Sequence, residues 1–221
     1  MITIIDIPTE QTTAATDLML TIISIITAYG IYKLGKDIQL LKARIWVTVF
    51  ILLAIAALFG AVAHGFMMSE KMNFILWQPL NLALGLGVSL FAAGALFDLQ
   101  KGSLHKAIIP GLLALGIIFY FITVFIPGSF LVFIIYEAVV MLFALTAYII
   151  LAFRGILRGA WWMVLGILIT IIAAAIQASE SVNIEVIWKF DHNGIFHIVQ
   201  MVGVLVIYLG LTKSFHHPLE E

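Results

Sequence analysis

Residues 44–68 read RIWVTVFILLAIAALFGAVAHGFMM, with one arginine at the start, one histidine near the end and almost nothing polar between. A bilayer's hydrocarbon core is ~30 Å thick and takes ~20 apolar residues to cross as a helix. This run is long enough, and its rare polar group sits close to one end. Six more runs of the same kind lie on either side of it, at 17–35, 73–98, 104–126, 129–153, 159–179 and 194–213. Only short loops and tails remain. Residues 1–221 therefore read as a single all-α domain, a polytopic membrane protein built as a monomer-capable seven-transmembrane-helix bundle; the sequence specifies no oligomeric state.

Composition points the same way. The chain is 63% hydrophobic and 10% charged, against about 25% charged residues in a soluble domain. A net charge of -1 leaves no basic footprint for nucleic acid. The absence of cysteine excludes disulfides, thiolate metal sites and cysteine nucleophiles. The first sixteen residues hold Asp6 and Glu10 but no Lys or Arg, unlike the basic region of a cleaved signal peptide, so the first apolar run is expected to stay as a helix.

Orientation follows from the basic residues. With the N-terminus outside, the cytoplasmic segments carry Lys33, Lys36, Lys42, Arg44, Lys101, Lys106, Arg154, Arg158 and Lys213, leaving only Lys71 and Lys189 on the other side. The positive-inside bias favours that arrangement, and an odd number of crossings then places the C-terminus in the cytoplasm.

Direction fixes depth. His64 lies near the outer end of helix 2, Gln78 and Asn81 in the first turns of helix 3, and Glu137 two turns into helix 5. Gln177 and Glu180 close helix 6, while His197 and Gln200 open helix 7. At 1.5 Å rise per residue, these groups form one layer ~5–15 Å below the outer surface. The inner halves of the same helices read as almost purely apolar. Gln78, Asn81, Gly85 and Ser89 share a face of helix 3, and polar faces are expected to point into the bundle. Pro79 is expected to bend helix 3 and open a cavity beside Gln78. For Asn81, Tyr136 and Gln200 the plain reading is interhelical hydrogen bonding, worth about 0.6 kcal/mol. His105, His216 and His217 read as solvated interface residues.

Glu137 is harder to set aside. A charged group at mid-membrane costs ~2.5–3.5 kcal/mol on insertion scales, and no Lys or Arg falls at its depth. Its expected partners are His64 and His197. Two imidazoles and a carboxylate make a catalytic zinc shell with water in the fourth position, and the metal lowers the water's pKa toward ~7. His64, His197, Glu137 and His192 are the candidate ligands, His192 from the loop before helix 7. Gln78, Asn81 and Gln200 are candidates to orient the histidines or polarise a substrate. A site this shallow suits a membrane lipid whose polar linkage lies just below the headgroups.

The segment Gly194-Ile-Phe-His-Ile-Val-Gln-Met-Val-Gly203, with His64 late in helix 2, resembles the CREST superfamily, which includes the alkaline ceramidases and the progestin/adiponectin-receptor group. The resemblance covers the helix layout and implies zinc-dependent amide or ester hydrolysis. His64 and His197 match two of its five signature positions. Gly60 stands where the pattern has serine, Asn193 where it has the first helix-7 histidine, and its helix-3 acid has no counterpart, with Gln78 nearby. A transporter lacks support because no repeat is evident. A retinal Schiff base lacks its lysine, since helix 7 has none before Lys213. A bis-histidine haem rests on two histidines alone. Two readings stay open: a zinc-dependent lipid hydrolase, and a metal-free receptor or small-molecule binding protein with an outward pocket.

Overall fold

The computed structural model describes residues 3–126 and 130–216. Helices run α1 (Pro8–Gly35), α2 (Leu40–Gly65), α3 (Glu70–Leu99), α4 (Ile108–Phe125), α5 (Phe130–Phe153), α6 (Ala160–Ser179) and α7 (His192–His216). A small antiparallel hairpin, β1 (Ile184–Glu185) and β2 (Lys189–Phe190), joins the last two. All seven helices are long and apolar enough to cross a membrane. The protein is an all-α, multi-pass membrane protein. His217 and the side chain of His216 lie outside the described residues.

Six helices close a ring in the order α1, α2, α3, α5, α6, α7, and α7 returns to pack on α1. The exception is α4, which leans on the outside of α3, with Gly116 its only buried residue. Small residues make that contact close: a Cβ on Gly85 would meet the Gly116 carbonyl oxygen at 2.8 Å, and one on Gly116 would meet Gly85 oxygen at 2.6 Å. Backbones approach this way in membranes because packing, not water exclusion, holds the helices together. For the same reason the outward faces stay apolar: Ile22, Ile26, Leu142, Ile172 and Leu205 are all exposed on the bundle surface.

Several boundaries differ from those read in the sequence. The first helix begins at Pro8, not at residue 17, because proline at the first helical position is pre-set for a helix start. Its added turns carry Glu10, Thr13 and Thr16. Ahead of them, residues 3–5 run antiparallel to the end of α2, with Ile5 N–H donating to Gly65 oxygen (3.1 Å) and Met67 N–H to Thr3 oxygen (2.9 Å). Helix α3 continues through Pro79 without a break.

The half of the bundle away from His64, expected to be almost purely apolar, is not so. Lys42, in the first turn of α2, places Nζ 2.6 Å from Oδ1 of Asp98 at the end of α3, and each side chain is only 1% exposed. The Tyr148 hydroxyl on α5 donates to Asp98 Oδ2 at 2.9 Å, and the ring of Phe215 on α7 lies 5.3 Å from the Lys42 ammonium. Four helices meet there. Breaking a buried pair by removing one partner costs ~3–5 kcal/mol, since the survivor is left charged and alone. Lys42→Met should accordingly lower the unfolding midpoint of the detergent-solubilised protein more than Lys42→Met combined with Asp98→Asn does. Equal losses in the single and double variants would show that the pair is not coupled.

Candidate functional site

The site begins on α1. Thr13, Thr16, Asp17, Leu20, Ser24 and Thr27 are all buried and recur at helical spacing on one face of α1. A polar stripe of that kind cannot face acyl chains cheaply. It is turned inward against α2 and α7, and its one acid, Asp17, sits ten residues into the helix, ~13 Å along the axis at 1.5 Å per residue.

Each key histidine has a carboxylate from α1 as its partner. His197, in the second turn of α7, places Nε2 3.1 Å from Asp17 Oδ1. Its Nδ1 lies 3.1 Å from the Thr16 hydroxyl. The Thr16 hydroxyl itself donates to the backbone oxygens of Thr12 and Thr13 (3.0 and 2.9 Å), so both ring nitrogens of His197 are held against the inward face of α1. His64, in the last turn of α2, donates from Nδ1 to Glu10 Oε2 at 2.6 Å and stands edge-on to Trp77, ring centroids 5.7 Å apart. The start of α7 is fixed from the same helix: Asp191 Oδ1 accepts from Gly194 N–H (2.9 Å) and from the Thr13 hydroxyl (3.0 Å). The hairpin is held by Thr12, whose hydroxyl donates to Lys189 oxygen at 2.7 Å.

These groups border one cavity of about 430 Å³ between the helices, at the end of the bundle where α1 begins. Asp17, His64, Glu137, His197 and Gln200 line its body, and Gln177, Glu180, His192 and Asn193 its rim. Below it lies a smaller chamber of about 80 Å³ walled by Phe50, Phe91, Met141, Val204 and Ile207. Leu53, Leu84, Glu137 and Gln200 border both spaces. The outer part is thus acidic and imidazole-rich, and the inner part is greasy.

Gly60 makes room for the acid. A Cβ at that position would sit 2.7 Å from Asp17 Oδ2. Among the described residues, two acceptors at the cavity have no hydrogen-bond partner: Asp17 Oδ2 and Gln200 Oε1.

The structure therefore brings together His64, His197, Glu137, His192 and Gln200 on one cavity and leaves out two residues expected there. Gln78 and Asn81 line a separate, more open pocket with Glu70, Asn73 and Thr123, and the Gln78 amide donates to Phe74 oxygen at 2.9 Å. Expected to face the ring, they point to the α3–α4 side, because α4 packs outside α3 and offers that face its own polar neighbours. On α3 it is Trp77, Leu80 and Leu84 that reach the cavity. His192 is the first residue of α7, not part of the preceding loop. Glu137 is not the carboxylate that engages the histidines; Asp17 and Glu10 take that part. Starting the first helix at residue 17 cut off Glu10, and Asp17, left as its first residue, was not weighed as a site residue, although the spacing of Thr13, Thr16, Asp17, Ser24 and Thr27 is a readable signal.

This donor set falls short of a zinc shell as arranged. A catalytic zinc site needs three protein ligands. Both ring nitrogens of His197 lie 3.1 Å from Asp17 and Thr16, whereas His64, held at Nδ1 by Glu10, keeps Nε2 free as a metal-ligating histidine does. Among the described residues no three His, Asp or Glu side chains draw together as a metal-binding group.

Residues 12–215 match the Family of unknown function (DUF6962). The chain belongs to that family. The region matched to DUF6962 contains all the cavity-lining residues and omits only Glu10 of the two carboxylate–histidine pairs. No curated protein and no solved structure matches the chain.

The fit between Gly60 and Asp17 is open to test. Gly60→Ala should cost ~1–3 kcal/mol by overpacking. Combined with Asp17→Ala, which restores the space, the same change should add less than ~0.5 kcal/mol to the loss caused by Asp17→Ala alone. Thermal unfolding of the four proteins measures the coupling, and additive losses would contradict the contact.

Proposed function

We propose that this protein binds an amphiphile, holding its head group at the polar side of the cavity and its chain along that cavity's apolar wall of Leu53, Ala56, Leu80 and Phe133, with the tip in the small chamber below, as a membrane receptor or carrier-type binding protein without catalysis. The observation that carries this reading is the adjacency of the two spaces, which share Leu53, Leu84, Glu137 and Gln200 as common walls. The combined shape matches a lipid or lipid-like ligand, since pockets of this kind fix orientation with a few polar groups and gain affinity from apolar walls. The carboxylate–histidine pairs then act as hydrogen-bonding groups of fixed geometry.

A second reading, zinc-dependent hydrolysis of a lipid amide or ester, is favoured by one specific observation: Asp17 Oδ2 lacks a partner beside two histidines on the same cavity. It requires His197 to release Asp17 or Thr16. The partial likeness to the CREST pattern at His64 and His197 supports it. Stoichiometric zinc in protein purified without chelator, lost in His64→Ala and His197→Ala, would move the conclusion to this reading.

We further infer that the cavity faces outward, with the N-terminus outside and the C-terminus cytoplasmic, on the strength of the basic-residue bias. Ser69 and Ser103 are exposed at opposite ends of α3. In intact cells, Ser69→Cys should label with an impermeant maleimide and Ser103→Cys only after permeabilisation; the reverse pattern inverts the assignment.

Filling the lower chamber tests the main proposal. Leu84→Trp should leave the protein folded yet weaken binding of a fluorescent long-chain probe by about tenfold, or ~1.4 kcal/mol. Unchanged binding in a folded Leu84→Trp protein would refute the assignment of the chamber to a chain.

A further inference from the structure

The head group itself can be specified further, on the reading that the cavity takes an amphiphile. Several hydrogen-bond donors around the cavity are spent inside the protein: Trp77 donates to Asn73 Oδ1 (2.8 Å), Gln177 to Asn193 Oδ1 (3.4 Å) and His64 to Glu10 (2.6 Å), while His197 Nε2 lies 3.1 Å from Asp17 Oδ1. Acceptors are left over. Asp17 Oδ2 and Gln200 Oε1 have no partner, and their residues are 3% and 8% exposed. A buried acceptor without a donor is costly, so the missing donors are expected from whatever fills the space.

Charge narrows the choice. The charged residues on the cavity are Asp17, Glu137 and Glu180, accompanied by three histidines, and no Lys or Arg lines it. Glu180 holds a left-handed conformation, φ 52°, at the end of α6. That position commonly carries glycine because other side chains are strained there. A glutamate kept at a glycine position on the rim is consistent with a use for its carboxylate. Trp77, Phe133 and Phe196 supply ring faces that attract cations.

We infer that the cavity selects a cationic amphiphile: a long-chain amine whose protonated nitrogen donates to Asp17 Oδ2 and Gln200 Oε1, with its chain directed past Glu137 into the lower chamber. A carboxylate or phosphate head would meet three acids and no lysine or arginine. A bare metal cation would satisfy the acids but leave the chamber walled by Phe50, Met141 and Ile207 unused.

Dodecylamine, dodecanol and dodecanoate, offered to the full-length protein in nanodiscs of uncharged lipid, test this by thermal stabilisation and titration. Dodecylamine should bind about tenfold or more tighter than dodecanol, the scale of one hydrogen bond to a charged group, and dodecanoate weakest of the three. Asp17→Asn should reduce the advantage of the amine over the alcohol. Glu180→Gly relieves the backbone strain, so it should melt at the same temperature or higher and still bind dodecylamine more weakly. Dodecanol binding as tightly as dodecylamine overturns the amine assignment and leaves the amphiphile reading standing. Failure of all three to bind overturns both. Stabilisation by zinc alone, with no response to amine, likewise overturns both in favour of the metal site.

Discussion

The bond from Asp17 to His197 joins the first helix to the last, and the ring depends on that closure. Neither group belongs in a bilayer by itself. A carboxylate at mid-membrane costs ~2.5–3.5 kcal/mol on insertion scales, whereas an interhelical hydrogen bond there returns about 0.6 kcal/mol on average and ~1.7 at most. The pair therefore does not offset its own burial, and Thr16 on Nδ1 narrows the gap without closing it. Stability must come from the packing of α1 on α2 and α7. What the pair adds is register: α1 can rotate or slide only by stranding an acid. That fixed register also holds Glu10 over His64 and Thr13 over the cap of α7.

The two ends of the ring are built on different terms. Where α1 begins, polar groups surround a space and some are left without partners. At the opposite end, Lys42, Asp98 and Tyr148 bind α2, α3 and α5 together, with Phe215 of α7 over the ammonium. One end is pinned by a buried ion pair, and the other encloses a cavity. Glu137 and Tyr148 lie eleven residues apart on α5, ~16 Å along its axis, with the apolar side chains of Met141 and Ala144 between them. An apolar layer thus separates the cavity from the buried ion pair.

How much of this the sequence disclosed depends on which helix is asked. Crossings two to seven follow from hydropathy alone, because lipid demands unbroken apolar runs and their ends are marked by Lys, Arg, Gly and Pro. The depths of His64, Glu137, His197 and Gln200 follow from those ends. Depth does not give direction around a helix, however. Gln78 and Asn81 share the layer but turn toward α4, and nothing in the local spacing says that α4 stands outside the ring. The first helix was the least legible. Its threonines and Asp17 lower the hydropathy of its opening turns, so an apolar-run criterion trims away the segment that holds Glu10, Thr13 and Thr16. A criterion of polar periodicity would have kept them, since buried Thr, Asp and Ser there repeat at helical spacing. Lys42 was hidden for a related reason: a lysine beside a basic loop reads as solvated until Asp98 is seen to face it.

Gly60 shows how the same space can be supplied from another element. Position 60 is occupied from across the interface, because the Asp17 carboxylate lies where a side chain on residue 60 would begin. A carboxylate only accepts and, on its open side, calls for a donor. Serine at position 60 would collide with Asp17, so Gly60 and Asp17 act as one unit: the glycine is the space and the acid is what fills it. That coupling is why the site is read correctly only with α1 in place, and why an acid on α1 faces an imidazole on α7 across a cavity that α2, α3, α5 and α6 merely enclose.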